Sequence, residues 1–155
     1  MFDRFNRKIN YLRVSVTDRC NLRCVYCMPA EGIKLISHDQ ILSFEEIADV
    51  VRVAVTMGIT KVRITGGEPL VRKGIIQLVG MIGRIKEISD LSMTTNGTLL
   101  KNFADDLAGA GLHRINISLD SVDPVKFREI TRGGNVNDVF EGIRAAKKPD
   151  FILLR

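Results

Sequence analysis

Three cysteines fall within eight residues, Cys20-Asn-Leu-Arg-Cys24-Val-Tyr-Cys27, and the chain has no others. An odd number at this spacing cannot close a set of disulfides and suits a reducing compartment. Three chemistries compete for such a cluster: buried structural thiols, a zinc site, or an iron–sulfur cubane. Structural zinc takes four protein ligands, and the two histidines, His38 and His113, lie far off in sequence. Three thiolates on one short loop can instead hold three irons of a [4Fe–4S] cube, which ordinarily takes four. The fourth iron then stays open to an outside ligand, such as the amine and carboxylate of an amino acid.

A second group with chemical potential is Gly66-Gly67-Glu68-Pro69. Paired glycines permit a tight turn or a close backbone approach to a ligand. A third group is basic: Arg13, Lys61 and Arg63.

The elements that position these residues follow from periodicity and caps. The pattern predicts strands over Leu12–Thr17, Lys61–Thr65, Leu91–Thr95 and Arg114–Leu119, and the start of a fifth over Phe151–Leu154. Between them it predicts helices over Ser43–Met57, Ile75–Ile85, Leu99–Ala110 and Asn137–Lys147, the last stopped by Pro149. Ser43 and Glu46 read as a capping box, Gly58 as a C-terminal cap, and Asp123-Pro124 as the start of a short helix. Strands alternating with helices argue for βαβ units and a parallel sheet.

The period of two divides each strand. Arg13, Ser15 and Thr17 oppose Leu12, Val14 and Val16. Lys61, Arg63 and Thr65 oppose Val62 and Ile64. Ser92, Thr94 and Asn96 oppose Leu91 and Met93. Asn116, Ser118 and Asp120 oppose Ile115, Ile117 and Leu119. A parallel sheet buried on both faces would be apolar throughout. The expectation is therefore a barrel or open barrel whose lumen holds a polar ligand. Lysine and arginines on the lumen side favour an anion, because buried cations need partners. Arg72 and Lys73 are expected at a solvent-exposed helix start.

Composition is that of an ordinary soluble domain: 155 residues, 45% hydrophobic, 26% charged. No apolar run reaches the roughly 18 residues of a membrane span. The first ten residues lack the apolar stretch of a signal peptide, so the cytoplasm is the expected compartment. The net charge of +5 suits an anionic ligand or simply a basic solvated surface. No dense basic run interleaved with aromatics points to nucleic acid.

The stretch LRVSVTDRCNLRCVYCMP (12–29) resembles the radical S-adenosylmethionine (SAM) enzymes, and among them the GTP 3′,8-cyclases that begin molybdenum-cofactor biosynthesis. RITGGEPLVR (63–72), TTNGTLL (94–100), INISLDS (115–121) and FREITRGG (127–134) extend the resemblance to about residue 148. The fold it implies is α/β: a partial (β/α) TIM-like barrel of the radical SAM type, of four to five βα units, truncated at the C-terminus. The whole chain is then one N-terminal part of a radical SAM core domain. Family members are about twice as long, with a second three-cysteine cluster that this chain lacks.

The resemblance further implies a [4Fe–4S] cluster on Cys20, Cys24 and Cys27, with SAM chelated at the open iron. Tyr26, Gly66, Gly67, Glu68, Asn96 and Ser118 match SAM-side positions: Tyr26 at the adenine, Gly66 and Gly67 at the amino-acid backbone, Glu68 at the amine. Arg13, Lys61, Arg63 and Thr94 match the GTP side. The implied reaction is a lyase-type rearrangement: hydrogen abstraction from C3′ of GTP, then attack of that carbon on C8, with no catalytic side chain beyond the cluster. It needs an external one-electron donor, and the family allows a homodimer. A different radical SAM chemistry, or a non-catalytic Fe–S and SAM-binding module, are the alternative readings. The truncated chain alone is expected to be inactive on GTP.

Overall fold

The structure, a computed structural model, describes residues 2–147 and 151–154. Five parallel strands lie side by side in chain order: β1 (Tyr11–Ser15), β2 (Lys61–Thr65), β3 (Asp90–Thr95), β4 (Arg114–Ile117) and β5 (Ile152–Leu154). The connections carry α1 (Phe44–Thr56), α2 (Ile75–Gly83), α3 (Ala104–Gly109), and then α4 (Pro124–Thr131) and α5 (Val136–Lys147). The stop expected at Pro149 lies outside the described residues. In a sheet built in chain order every crossover advances the same way, and right-handed crossovers then put the helices on one face. A doubly wound sheet would reverse its order midway. The architecture is the partial (β/α) barrel expected.

Register makes the two faces explicit. Val14, Ile64, Met93 and Ile115 are lateral partners across four strands. They face α1, α2, α3 and α5, whose Ile47, Val51, Leu78, Ile82, Leu107 and Val139 are buried with them. Each such side chain contributes about 1.5–3 kcal/mol on burial, so this face holds the sheet together. On the other face Arg13, Arg63, Ser92 and Arg114 form one lateral row, and Thr94 pairs with Asn116 one step nearer the carboxyl edge.

Caps fix the helices where local chemistry allows. Ser43 Oγ accepts from the Glu46 N–H at 3.1 Å, and Glu46 Oε2 accepts from the Ser43 N–H at 2.7 Å. Gly58 takes a φ of 95° after α1. Asp123 accepts from the Val125 and Lys126 N–H groups to start α4.

Boundaries differ from expectation where loops compete for backbone groups. β1 ends at Ser15 rather than Thr17, because the Thr17 carbonyl accepts from the Gly67 N–H at 2.7 Å. β4 ends at Ile117 rather than Leu119; its last lateral bond is Ser118 N–H to the Thr95 carbonyl. The helix expected over Leu99–Ala110 is a 3-10 turn (Leu100–Asn102) and then α3, with Phe103 at φ −124° between them. α2 stops at Gly83, two residues early. Ser92, on the polar face, is nonetheless buried: it lies under Arg63, whose Nε donates to its hydroxyl at 3.3 Å. No helix among the described residues is long and apolar enough to cross a membrane.

Candidate metal centre at the carboxyl edge of the sheet

In parallel α/β folds ligands collect where strands end and loops begin. Here the loop after β1 carries the cysteines, the turn after β2 is Gly66–Gly67–Glu68, the loop after β3 starts with Asn96, and the loop after β4 carries Asp120. All four meet. The meeting is built mainly from backbone hydrogen bonds and a few buried side chains.

The glycine pair presses on the cysteine loop. A Cβ on Gly66 would stand 2.6 Å from the Thr17 carbonyl oxygen, and one on Gly67 2.3 Å from that of Arg19. Neither glycine has a positive φ; the need is space. Gly67 N–H donates to the Thr17 carbonyl and Glu68 N–H to the Arg19 carbonyl at 2.8 Å. In this structure the close approach of the two glycines is to the protein's own cysteine loop.

Glu68 is 1% exposed. Its Oε1 accepts from Thr95 Oγ1 at 2.7 Å and the Leu70 N–H at 3.1 Å, and its Oε2 accepts from the Asn96 N–H at 2.7 Å. Burial raises its pKa, and the three donors oppose that rise. Glu68 ties the end of β2 to the end of β3, and Oε2 keeps one lone pair unspent.

Asn96 faces the cysteine loop. Its Nδ2 donates to Asn21 Oδ1 at 2.9 Å and approaches Cys20 Sγ at 3.9 Å. Its Oδ1 accepts from the Thr98 backbone and hydroxyl, and Asn21 Nδ2 donates back to Thr98 Oγ1 at 2.8 Å. Tyr26, 62% exposed, spans to the next loop: its hydroxyl donates to both Asp120 oxygens, at 3.0 and 2.8 Å. Burial of that hydroxyl, with the Asp120 bond, drives its pKa far upward. Ser118 is exposed just past β4.

The thiols are half-buried (Cys20), buried (Cys24) and exposed (Cys27). Burial raises the pKa of Cys20 and of Cys24, and each of the two also feels the charge of Cys27. Three free thiols on one short loop are a donor set suited to soft metals. No group of His, Cys, Asp or Glu among the described residues converges on a single ion. His113 Nδ1 accepts from the Leu91 N–H at the start of β3, which is the edge away from the thiols. Beside Cys20 a recess of about 430 Å³ is lined by Asp18, Arg19, Cys20, Arg23 and Met28 among others. Asp18 Oδ1 and Arg19 Nε are buried there without a hydrogen-bond partner. Polar atoms left so are ready for a polar ligand.

The basic residues are on the open face. Arg13 and Arg63 are lateral partners, and Arg63 lies 5.4 Å from the Tyr11 ring centroid. Lys61 starts β2, four residues from Thr65, or about 13 Å along the strand from the carboxyl edge. Thr94 is half-buried beside Asn116, whose Oδ1 is buried and unpaired. Arg114, on the same face, is taken by Asp90 in a two-bond ion pair. Arg72, expected in solvent, is half-buried: it donates to the Val16 and Leu42 carbonyls, both at 2.6 Å, and stacks 4.3 Å from the Phe44 ring centroid. Lys73 is exposed as expected.

Sequence reasoning passed over Thr95, Asn21 and Arg132. Thr95 lies on the apolar side of β3, and only the fold brings Glu68 to it. Arg132 had one local signal, its place directly before Gly133-Gly134 at the end of a helix.

The sequence pattern of the Radical SAM superfamily matches residues 14–152. A GTP 3′,8-cyclase from Thermodesulfovibrio yellowstonii is 62% identical over 148 residues, covering 95% of this chain and 46% of that protein. One from Geobacter sulfurreducens is 54% identical over 151 residues, covering 97% and 46%. The chain thus spans about half the length of the curated relatives it matches. Among solved structures, Streptococcus suis SuiB bound to S-adenosylmethionine superposes with a TM-score of 0.74 at 19% identity, covering 93% of this chain and 31% of that one. Methylornithine synthase (PylB) gives 0.72 at 15% identity, covering 92% and 42%. At such identities these two speak to fold alone.

Proposed function

We propose that this chain, which belongs to the radical SAM superfamily, is the cluster-bearing part of a GTP 3′,8-cyclase acting at the start of molybdenum-cofactor biosynthesis. The observation that carries the reading is one short loop of three thiols at the carboxyl edge of a chain-order parallel sheet. Identity of 54–62% to cyclases across nearly the whole chain supports the choice within the superfamily.

Cys20, Cys24 and Cys27 would hold a [4Fe–4S] cluster and leave one iron for the SAM methionine group. When bound, such a cluster would supply one electron for reductive cleavage of SAM, and with it the means of hydrogen abstraction from the substrate ribose. The protein's part is placement. Glu68 offers the spare lone pair of Oε2 toward an amine, while its other bonds keep β2 and β3 in step. Gly66 and Gly67 let this turn reach the cysteine loop, and Asn96 steadies the loop at Cys20. Tyr26, held by Asp120, stands at the rim, and Ser118 lies on the same edge. Arg13, Arg63 and Lys61 give a triphosphate a cationic track down the open face, with Thr94 between track and cluster. No general base is needed for hydrogen abstraction; the demand is alignment.

Anaerobic reconstitution with iron and sulfide should give one [4Fe–4S] cluster per chain by Mössbauer spectroscopy, and SAM should alter the EPR spectrum of its reduced form. Cys24→Ala should abolish assembly. Zinc alone in the parent, or an unchanged cluster in Cys24→Ala, would end the reading.

A further inference from the structure

We infer that Arg132 is a positioning residue of the cysteine loop, holding the Cys24–Cys27 turn in the shape that takes up the metal. The inference rests on the reading of these cysteines as cluster ligands.

Arg132 follows the last residue of α4 with φ 54° and ψ 53°, the left-handed conformation. Asn6 is the other described non-glycine residue with positive φ. For a long side chain this conformation costs on the order of 1 kcal/mol, which glycine avoids. Gly133 stands at the next position with φ 116° and open space around it, so the turn already uses a glycine where only backbone shape matters. As a helix cap alone, Arg132 is a poor choice of residue.

The side chain accounts for it. Arg132 Nη1 donates to the Arg23 carbonyl at 3.0 Å and to the Met28 carbonyl at 2.7 Å. Those two carbonyls bracket Cys24 to Cys27. Inside the bracket the Cys27 and Met28 N–H groups both donate to the Cys24 carbonyl, so the segment is one closed turn. The backbone of α4 grips the same stretch: Arg23 N–H donates to the Thr131 carbonyl at 3.2 Å and Val25 N–H to the Ile130 carbonyl at 2.9 Å. Close packing completes the dock, since a Cβ on Gly134 would stand 3.0 Å from Leu22 Cδ2. The end of α4 therefore fixes the start of the turn through backbone, and the guanidinium reaches across to fix its far end. Cys27 is exposed, so burial does not hold it in place. An arginine suits two carbonyls presented together, because its donors are fixed in one plane.

Backbone and side chain make opposite demands here, which gives a clean test. Arg132→Gly relieves the left-handed backbone and deletes the guanidinium. The metal-free variant should melt at or above the parent temperature. Its reconstituted cluster should give up half its iron at about 10- to 100-fold lower chelator concentration, the loss of affinity typical of removing a group that orients metal ligands. Arg132→Lys, which keeps a cationic donor, should recover part of the difference. An Arg132→Gly cluster as durable as the parent's overturns the inference. So does loss of melting temperature in the metal-free variant that parallels the loss of cluster, because Arg132 would then serve the fold generally. A parent chain that takes up no cluster overturns the cluster reading itself, and is seen before any variant is made.

Discussion

Glu68 is a carboxylate set where charge is costly, with Thr95, Leu70 and Asn96 all donating to it. Glutamine in its place must turn an NH₂ toward one of those donors, at a cost of about 1–3 kcal/mol. The pH dependence has a definite sign. Burial raises the folded pKa above the ordinary 4.5, outweighing the three donors. The folded state then binds the proton more tightly than the unfolded chain, so this contribution is complete below pH 4.5 and is lost as pH rises through the raised value. The stability advantage of parent over Glu68→Gln, read from urea unfolding at several pH values, should be largest in acid and narrow on raising the pH. An advantage that grows with pH would mean the hydrogen bonds outweigh desolvation. From the sequence, the type and position of Glu68 were legible and its partners were not. Thr95 is 27 residues away and becomes a donor only when β2 and β3 pair in this register.

Helices and strands were legible because each carries its own signal. Ser43 and Glu46 cap α1 as expected, β2 spans the expected residues, and alternation correctly divides the faces of β1 to β4. What was hidden lies between elements. The early ends of β1 and β4 and the docking of α4 on the cysteine loop depend on backbone partners distant in sequence. The same contrast separates glycines that look alike on paper. Gly67→Ala would place a methyl 2.3 Å from the Arg19 carbonyl oxygen and push the cysteine loop off the β2 turn. It should cost about 1–3 kcal/mol by thermal unfolding and slow cluster assembly as well. Gly80, inside α2, meets nothing within 4 Å of an added Cβ. Gly80→Ala should stabilise the chain by about 0.5–1 kcal/mol, since alanine loses less backbone freedom in a helix. Equal effects at the two positions would contradict the close contact between turn and loop.

At the scale of the whole molecule, one face of the sheet is sealed under helices and the other is open. Arg13 and Lys61 are exposed on that open face, and Arg63 is half-buried. Exposed charges gain little from a partner, typically about 0–1 kcal/mol per pair, and salt screens them further. The carboxyl edge with its three thiols is different: the glycine turn, Glu68, Asn96 and the end of α4 converge on it from within the described residues. The two halves of the proposed reaction should therefore separate in the 155-residue chain. With dithionite and SAM, the reconstituted chain should form 5′-deoxyadenosine. With GTP added, it should bind the nucleotide weakly and in a salt-dependent way, and yield no cyclised product. The reason is alignment: a displacement of about 1 Å between reacting carbons can cost about 100-fold in rate, and a triphosphate held on an open face leaves the ribose free to move far more than that. Anaerobic assays that follow deoxyadenosine and the cyclised nucleotide separately test both halves. Tight, salt-independent GTP binding with cyclisation would mean that a second copy of the chain, or a reordering of its own loops, closes the open face around the nucleotide.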